Sequence, residues 1–219
     1  MKKYGILSAI LFIAIPACAQ NDNKAGAESE IKVGGPCEDC EAVYECPVPF
    51  KALSEFAWLP DWNENSPRKI AINGIVYQAD GKTPAPGVVI YLYHTDQAGV
   101  YPLKGDEKGW AKRHGYLRGW MKTNKKGEYK FWTLRPAAYP GGNTPAHIHV
   151  IIKEPGKTPY QIDDFLFDND PLLTEAERKK PGSRGGNGIL KFYDASSGKS
   201  LFKGERHLYL GKNIPDYPR

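Results

Sequence analysis

The sequence has no long hydrophobic run and no basic cluster with interleaved aromatic residues. Its one strongly apolar stretch near the start, residues 6–17, is too short to cross a bilayer as a permanent helix. The formal net charge is only +5 over 219 residues. These features argue against a membrane-spanning or nucleic-acid-binding protein. A hydrophobic content of 41% and a charged content of 25% are instead typical of a globular chain with a substantial core.

The first residues have the features of an export signal. Lys2 and Lys3 precede the apolar run, and Cys18 follows it. The residues before Cys18 resemble a bacterial lipobox, which implies a signal peptide over residues 1–17 and a lipid on Cys18. We therefore expect an exported lipoprotein, held in the periplasm or at the cell surface, with plain secretion and removal of Cys18 as the alternative. Since Lys2 and Lys3 are the only charges in residues 1–17, the processed chain would carry +3.

Cysteine is scarce, with four residues in the whole chain. Export implies an oxidising compartment, in which disulfides form and persist. Cys37, Cys40 and Cys46 lie within ten residues, and no second cysteine pair or nearby histidine completes a zinc site with them. We expect one local disulfide, and the sequence leaves open which thiol stays unpaired.

Short segments of β-branched and aromatic residues alternate with turn signals from residue 69 onwards. Strands are predicted at residues 70–77, 88–94, 120–123, 129–132, 146–153, 189–193 and 207–210. The strand at 88–94 is nearly continuous in apolar residues, which predicts burial on both faces. Residues 120–132 have the pattern of a hairpin, and one short helix is expected at 173–179. The pattern predicts an all-β fold, a β-sandwich.

The composition divides the chain into three segments. Residues 1–17 form the predicted signal peptide, and residues 18–67 form a tether followed by an arm that contains the cysteines. Trp58 and Trp62 indicate that this arm packs on the domain, because a free linker rarely contains large aromatic residues. Residues 68–219 form the predicted sandwich domain.

Two histidines on one predicted strand are the first sign of chemistry. His147 and His149 stand two residues apart, so a strand would place both rings on the same face and Ile148 on the opposite one. Neutral imidazole is the commonest metal ligand in proteins, and such a pair indicates a metal site. The alternative is an exposed strand that contains two histidines by chance.

The surrounding residues extend this pattern into a family resemblance. Matching positions include Leu117-Arg118-Gly119, Thr123, Gly127, Tyr129, Phe131, Thr133, Arg135-Pro136, Tyr139-Pro140 and Pro145-Ala146-His147-Ile148-His149. Residues 96–101 resemble the segment that bears the family's first tyrosine ligand. Over residues 68–172 the chain resembles the intradiol ring-cleavage dioxygenases, non-haem iron enzymes that act on catechol and protocatechuate.

Carried over residue by residue, the resemblance implies Fe(III) bound by Tyr101, Tyr139, His147 and His149. Two tyrosines suit a trivalent ion, because cation binding ionises the phenols and the phenolates balance its charge. The implied reaction opens a catechol-type ring between its two hydroxyls with O2 and yields a muconate-type diacid. Tyr139 would be the ligand that substrate displaces, and therefore a general base.

Two departures from the family pattern bear on the substrate. The family usually has an arginine directly before the Pro-Ala-His-Ile-His segment, whereas this chain has Thr144, so Arg135 or Arg113 would have to supply a cation. The usual glutamine is also displaced, and Asp164 is a candidate for its place. An acidic residue there would disfavour carboxylated catechols, so we expect a preference for catechol or electron-rich catechols over protocatechuate.

Two rival interpretations remain at this level. Residues 70–93 also resemble transthyretin-like β-sandwich domains that bind partners or glycans at the cell surface. The other interpretation is a degenerate relative that binds iron or catechol-type compounds without turnover. His94, His114 and His207 are expected at the surface or behind the ligands rather than as ligands themselves.

Overall fold

The structure is a computed structural model that describes residues 22–24, 30–63, 65–180, 182–194 and 201–218. The predicted signal peptide, Cys18 and most of the tether lie outside these residues, so those expectations stay predictions. Among the residues that are described, no helix has the length and apolar character needed to cross a membrane.

Strands dominate the described part of the chain. Their bounds are β1 Phe56–Trp58, β2 Lys69–Tyr77, β3 Val89–Tyr93, β4 Arg118–Lys122, β5 Glu128–Leu134, β6 His147–Lys153, β7 Tyr160–Gln161, β8 Phe165–Phe167, β9 Ile189–Leu190, β10 Tyr193–Asp194, β11 Leu201–Glu205 and β12 Leu208–Tyr209. Two single-turn helices, α1 Ala111–His114 and α2 Glu175–Arg178, interrupt them.

These strands form two sheets that share one core. The first sheet has the order β1-β5-β2-β11-β10, with β12 also paired to β2. The second has the order β4-β3-β6-β8-β9, with β7 also paired to β6. Phe131 of β5 and Phe165 of β8 meet across the interior with ring centroids 5.6 Å apart, and both are fully buried. Two sheets that enclose a common apolar layer confirm the predicted β-sandwich.

Strand β3 is buried along its whole length, as its apolar sequence predicts. Ile90 and Leu92 face the sandwich core. Tyr91 and Tyr93 alternate with them and face outwards, where the N-terminal arm covers them. The arm therefore contacts β3, and β3 pairs directly with β6.

The predicted hairpin at residues 120–132 is wrong. The turn forms, with Gly127 N donating to Asn124 O at 2.9 Å, but the flanking strands join different sheets. β4 pairs with β3, and β5 pairs with β2. Met121 and Phe131 both bury their side chains in the core, so the turn connects the two sheets rather than two neighbours in one sheet.

The N-terminal arm is ordered and packed on the domain, as predicted. A disulfide joins Cys37 to Cys40, while Cys46 is a buried free thiol. The 3-10 helix Cys40–Glu45 follows the disulfide and packs on the outer face of β3. Further along, β1 pairs with β5, so the arm adds a strand to the first sheet. The predicted domain boundary at residue 68 stays a prediction.

The sequence contains a signal for one of the two short helices but not for the other. The helix predicted at 173–179 is confirmed as α2, which begins after Thr174. Thr174 Oγ1 accepts a hydrogen bond from Glu177 N at 3.2 Å, as in a capping box. Helix α1 was not predicted, because its N-cap residue Trp110 makes no side-chain capping hydrogen bond and gives no start signal in the sequence.

Candidate metal centre

Strand β6 places His147 and His149 on one face. Their ring centroids are 4.5 Å apart and their Nε2 atoms are 3.1 Å apart. Ile148 between them points into the core and is fully buried. The expected arrangement of the pair is therefore present, with both imidazoles at the edge of a cavity.

Two loops bring the predicted tyrosines to this pair. Tyr101 follows the turn after β3, and Tyr139 lies between β5 and β6. Tyr101 Oη is 2.6 Å from Tyr139 Oη and 2.9 Å from His149 Nε2. Tyr139 Oη is 3.2 Å from His147 Nε2 and 3.4 Å from His149 Nε2. All four predicted residues thus direct one polar atom to a common point.

The two tyrosine loops are fastened to each other. Ala137 N donates to Asp96 O at 2.9 Å, and Thr95 Oγ1 donates to Ala137 O at 2.7 Å. Gly99 has a φ of +79°, and a Cβ at this position would lie 2.1 Å from Ala138 O. Only glycine permits this crossing, which brings Tyr101 next to Tyr139.

Hydrogen bonds set the orientation of both imidazoles. His147 Nδ1 lies 2.7 Å from Pro145 O, so this nitrogen bears the proton and donates it to the carbonyl. His149 Nδ1 lies 3.1 Å from Asp164 Oδ1. In each ring the Nε2 lone pair is then directed at the tyrosine oxygens, the usual arrangement behind metal-bound histidines. Asp164, proposed from sequence as the occupant of the usual glutamine position, supports His149.

The donor set fits a ferric ion. Metal–ligand bonds of roughly 2 Å place adjacent ligand atoms about 3 Å apart, close to the separations of the four donor atoms here. Burial raises the pKa of Tyr101, and its hydrogen bond with Tyr139 raises it further. Burial, and next the neighbouring His149, lower the pKa of His147, which favours its neutral, metal-binding form. Phenolate and imidazole donors together suit trivalent iron.

The four donors face a cavity of about 900 Å³. Thr144 lies exposed at its edge. Of the two arginines considered as substitutes for a cation at this position, Arg113 lines the cavity. Arg135 does not, since it lies over the Phe167 ring at 4.6 Å in a separate pocket. Asp163 and Asp164 both line the cavity, as the expectation of an acidic site requires.

Sequence reasoning missed part of the cavity wall. Tyr93, on the strand predicted to be buried on both faces, stacks on His149 with centroids 4.5 Å apart. His114 stacks on the other face of Tyr93 at 3.7 Å and is only 2% exposed. Asp39 of the arm also lines the cavity. Nothing in the local sequence pattern of these residues indicates the site.

The remaining histidines lie outside the cluster. His94 is buried, with Nδ1 2.6 Å from Thr95 O and Nε2 2.7 Å from Thr133 Oγ1. Burial lowers the pKa of His94 to about 4, so this ring is neutral near pH 7. His207 Nδ1 accepts a hydrogen bond from Ile75 N at 3.2 Å. The expectation that neither is a ligand agrees with these bonds, although His94 is not at the surface.

Comparison with known proteins agrees with this geometry. A family model described as a dioxygenase matches residues 54–180, which include all four cluster residues. The chain belongs to the intradiol dioxygenase family. It is 31% identical over 120 residues to catechol 1,2-dioxygenase 1 from Acinetobacter lwoffii. It is 30% identical over 111 residues to the protocatechuate 3,4-dioxygenase beta chain from Burkholderia cepacia. Intradiol dioxygenases use non-haem iron(III).

These matches are partial in length. They cover 48% of this chain in both cases, but only 37% and 47% of the two relatives. The chain therefore spans less than half the length of the curated relatives it matches. Among solved structures, 3-chlorocatechol 1,2-dioxygenase from Rhodococcus opacus shares the fold, with a TM-score of 0.55 and 21% identity. That match covers 71% of this chain and 65% of the other.

Proposed function

We propose that this protein is an Fe(III)-dependent intradiol dioxygenase that opens a catechol-type ring between its hydroxyls with O2. The product would be a muconate-type diacid. The observation that supports this most is the convergence of Tyr101, Tyr139, His147 and His149 on one point at the edge of a cavity. A non-catalytic transthyretin-like binding module has no need of such a set.

Each cluster residue has a distinct task in this proposal. Bound ferric iron would ionise the two phenols and withdraw electrons from a coordinated catechol. His147 and His149 present their Nε2 lone pairs because Pro145 O and Asp164 hold the opposite ring nitrogens. Tyr139 Oη would serve as the base that takes a proton from one substrate hydroxyl. Tyr101 would hold the metal together with the two histidines.

The residues beside the cluster favour catechols without a carboxylate, although Arg113, Arg178, Lys180 and Arg184 also line the cavity. Thr144 brings no charge to its edge, while Asp163 and Asp164 bring two carboxylates. We therefore propose catechol or electron-rich catechols as substrates in preference to protocatechuate. A second candidate function is the binding of iron and a catechol without turnover, because Thr144 supplies no charge to stabilise the reacting ring.

Metal analysis and visible absorption of the purified protein test the proposal first. About one iron per chain and a reddish colour from phenolate-to-iron charge transfer are expected. Oxygen uptake with a panel of catechols, with products identified by mass, then tests turnover. A colourless folded protein that takes up zinc but not iron would contradict the metal assignment. Iron-loaded protein that consumes no oxygen with any catechol would support the binding-only alternative.

Export and lipidation at Cys18 are a further part of the proposal. The Cys37–Cys40 disulfide supports it, because such bonds persist in oxidising compartments. Mass spectrometry of the mature N-terminus tests it. An acylated Cys18 is expected, whereas a terminus beyond Cys18 with no acyl mass would show plain secretion.

A further inference from the structure

The N-terminal arm contributes to the wall of the proposed catechol cavity. Asp39 lies within the loop closed by the Cys37–Cys40 disulfide, and it lines the same cavity as the tyrosine–histidine cluster. The arm up to this loop lies outside residues 54–180, the part of the chain that matches the dioxygenase family. This portion of the wall is therefore contributed by residues outside the family match.

A stack of rings connects the cluster to the arm. His149 lies against one face of Tyr93, and His114 lies parallel to the other face, 3.7 Å away with an interplanar angle of 5°. His114 is thus separated from a proposed iron ligand by one aromatic ring. His114 and the cluster line the same cavity, which is the space that a substituent on a bound catechol would enter.

The protonation state of His114 follows from its neighbours. The Asp39 carboxylate, with Oδ2 3.7 Å from His114 Nε2, favours the tautomer that bears its proton on this nitrogen. The Tyr91 hydroxyl then donates to His114 Nδ1, 2.8 Å away. Burial, and then the nearby Arg118, lower the pKa of His114 to about 4. His114 is therefore neutral, with its one N–H at Nε2.

This N–H has no hydrogen-bond partner in the described residues, although it is buried. Asp39 Oδ2 lies 3.7 Å away, which is too long for a hydrogen bond. Asp39 Oδ1 is likewise buried and makes no hydrogen bond there. Arg113 Nη1 is 3.2 Å from that oxygen, within ion-pair distance but without hydrogen-bond geometry. A donor and an acceptor thus stand side by side in the cavity wall, both unsatisfied.

We propose that His114 and Asp39 form a subsite for a hydroxyl group on a catechol-type substrate, in addition to its two ring hydroxyls that meet the metal. A hydroxyl can accept from His114 Nε2–H and donate to the Asp39 carboxylate at once. A carboxylate cannot donate and is repelled by Asp39, an ammonium group cannot accept from Nε2–H, and an alkyl group can do neither. This inference rests on the proposed function.

A matched pair of ligands tests the subsite. Iron-loaded full-length protein is titrated without oxygen with methylcatechol and with hydroxymethylcatechol, substituted at the same ring position, and binding is followed by the visible charge-transfer band. The wild type should bind the hydroxymethyl compound about tenfold more tightly, as expected for a hydrogen bond to a charged group. Equal affinities in the wild type would overturn the inference, whatever the variants do.

Variants of two neighbouring acidic residues test whether the preference for hydroxymethylcatechol depends on Asp39. Asp39→Ala should remove most of the tenfold preference while leaving the affinity for methylcatechol unchanged. Glu38→Ala is the matched control, since Glu38 also pairs with Arg113 but is 81% exposed and does not line the cavity. It should keep the preference. Loss of the preference in both variants, or in neither, would contradict the assignment to Asp39.

A third variant distinguishes loss of the hydrogen bond from misfolding of the loop. Asp39→Asn keeps the shape of the side chain and lowers its strength as an acceptor, so the preference should fall by an intermediate amount. Unchanged preference in this variant and in Asp39→Ala would overturn the subsite. If neither catechol binds to iron-loaded wild type, the proposed function itself fails, which separates that outcome from failure of the subsite alone.

Discussion

The cavity wall combines two regions, only one of which lies wholly within the family match. The tyrosine–histidine cluster lies within that match, on β6 and two loops that approach closely at Gly99 and Ala138. The disulfide loop with Asp39 lies outside that match and reaches the cavity only because the arm packs on β3. The proposed chemistry thus comes from within the family match, whereas the proposed recognition combines His114 from the match with Asp39 of the arm. Substitutions in the first region should lower the affinity for iron. Substitutions in the second region should reduce the preference between ligands.

The sharpest test of the first region is removal of a proposed ligand. His149→Ala deletes one of the converging donors, so iron content and the reddish colour should be lost. Iron affinity should fall by more than the roughly 10–100-fold that loss of an outer partner costs. Metal analysis after dialysis checks this. His207→Gln is the control, because His207 bonds to Ile75 N away from the cluster and should leave iron unchanged.

The next effect concerns the residue that orients His149. Asp164→Asn replaces the carboxylate that accepts from His149 Nδ1, so iron affinity should fall roughly 10–100-fold and the absorption band should shift. Competition with a chelator measures the affinity. Asp163→Asn is the matched control, since Asp163 also lines the cavity whereas the bond to His149 comes from Asp164. Equal losses in the two variants would indicate a general charge effect instead.

Opening the disulfide tests the second region. The double variant Cys37→Ser with Cys40→Ser should lower the free energy of unfolding by about 2 kcal/mol, a small value because the closed loop is short. Iron content should not change, while the preference for hydroxymethylcatechol should weaken. Denaturant unfolding and metal analysis check both points. Cys46→Ala removes a thiol outside this loop and should keep the ligand preference.

The smallest expected effect concerns Thr144, which lies within the first region. Thr144→Arg adds a cation at the cavity edge and should raise kcat/KM for unsubstituted catechol a few-fold, by stabilising negative charge on the ring. The gain is limited because this position is exposed and the charge is screened by solvent. Oxygen uptake measures it, with Thr144→Gln as the neutral control. A similar gain from glutamine would exclude the charge explanation.

The sequence by itself determined the histidine pair and the class of fold, while Tyr101 and Tyr139 were predicted through the family resemblance. The two-residue spacing of His147 and His149 sets their common face on any strand, and the strand at β3 is apolar enough to predict its burial. The disulfide was predictable as local, because the candidate cysteines stand close together in sequence. These features depend on neighbours along the chain, so a local pattern contains them.

The tertiary structure alone decided which distant segments meet. The turn at 124–127 has the same sequence whether it joins two neighbouring strands or two sheets, and only pairing with β3 and β2 selects the second. Arg113 lines the cavity and Arg135 does not, which likewise depends on how distant segments pack. Asp39 and His114 are 75 residues apart in sequence and meet because the arm packs against the outer face of β3. Such contacts follow from packing of the whole chain, which no short stretch of sequence specifies.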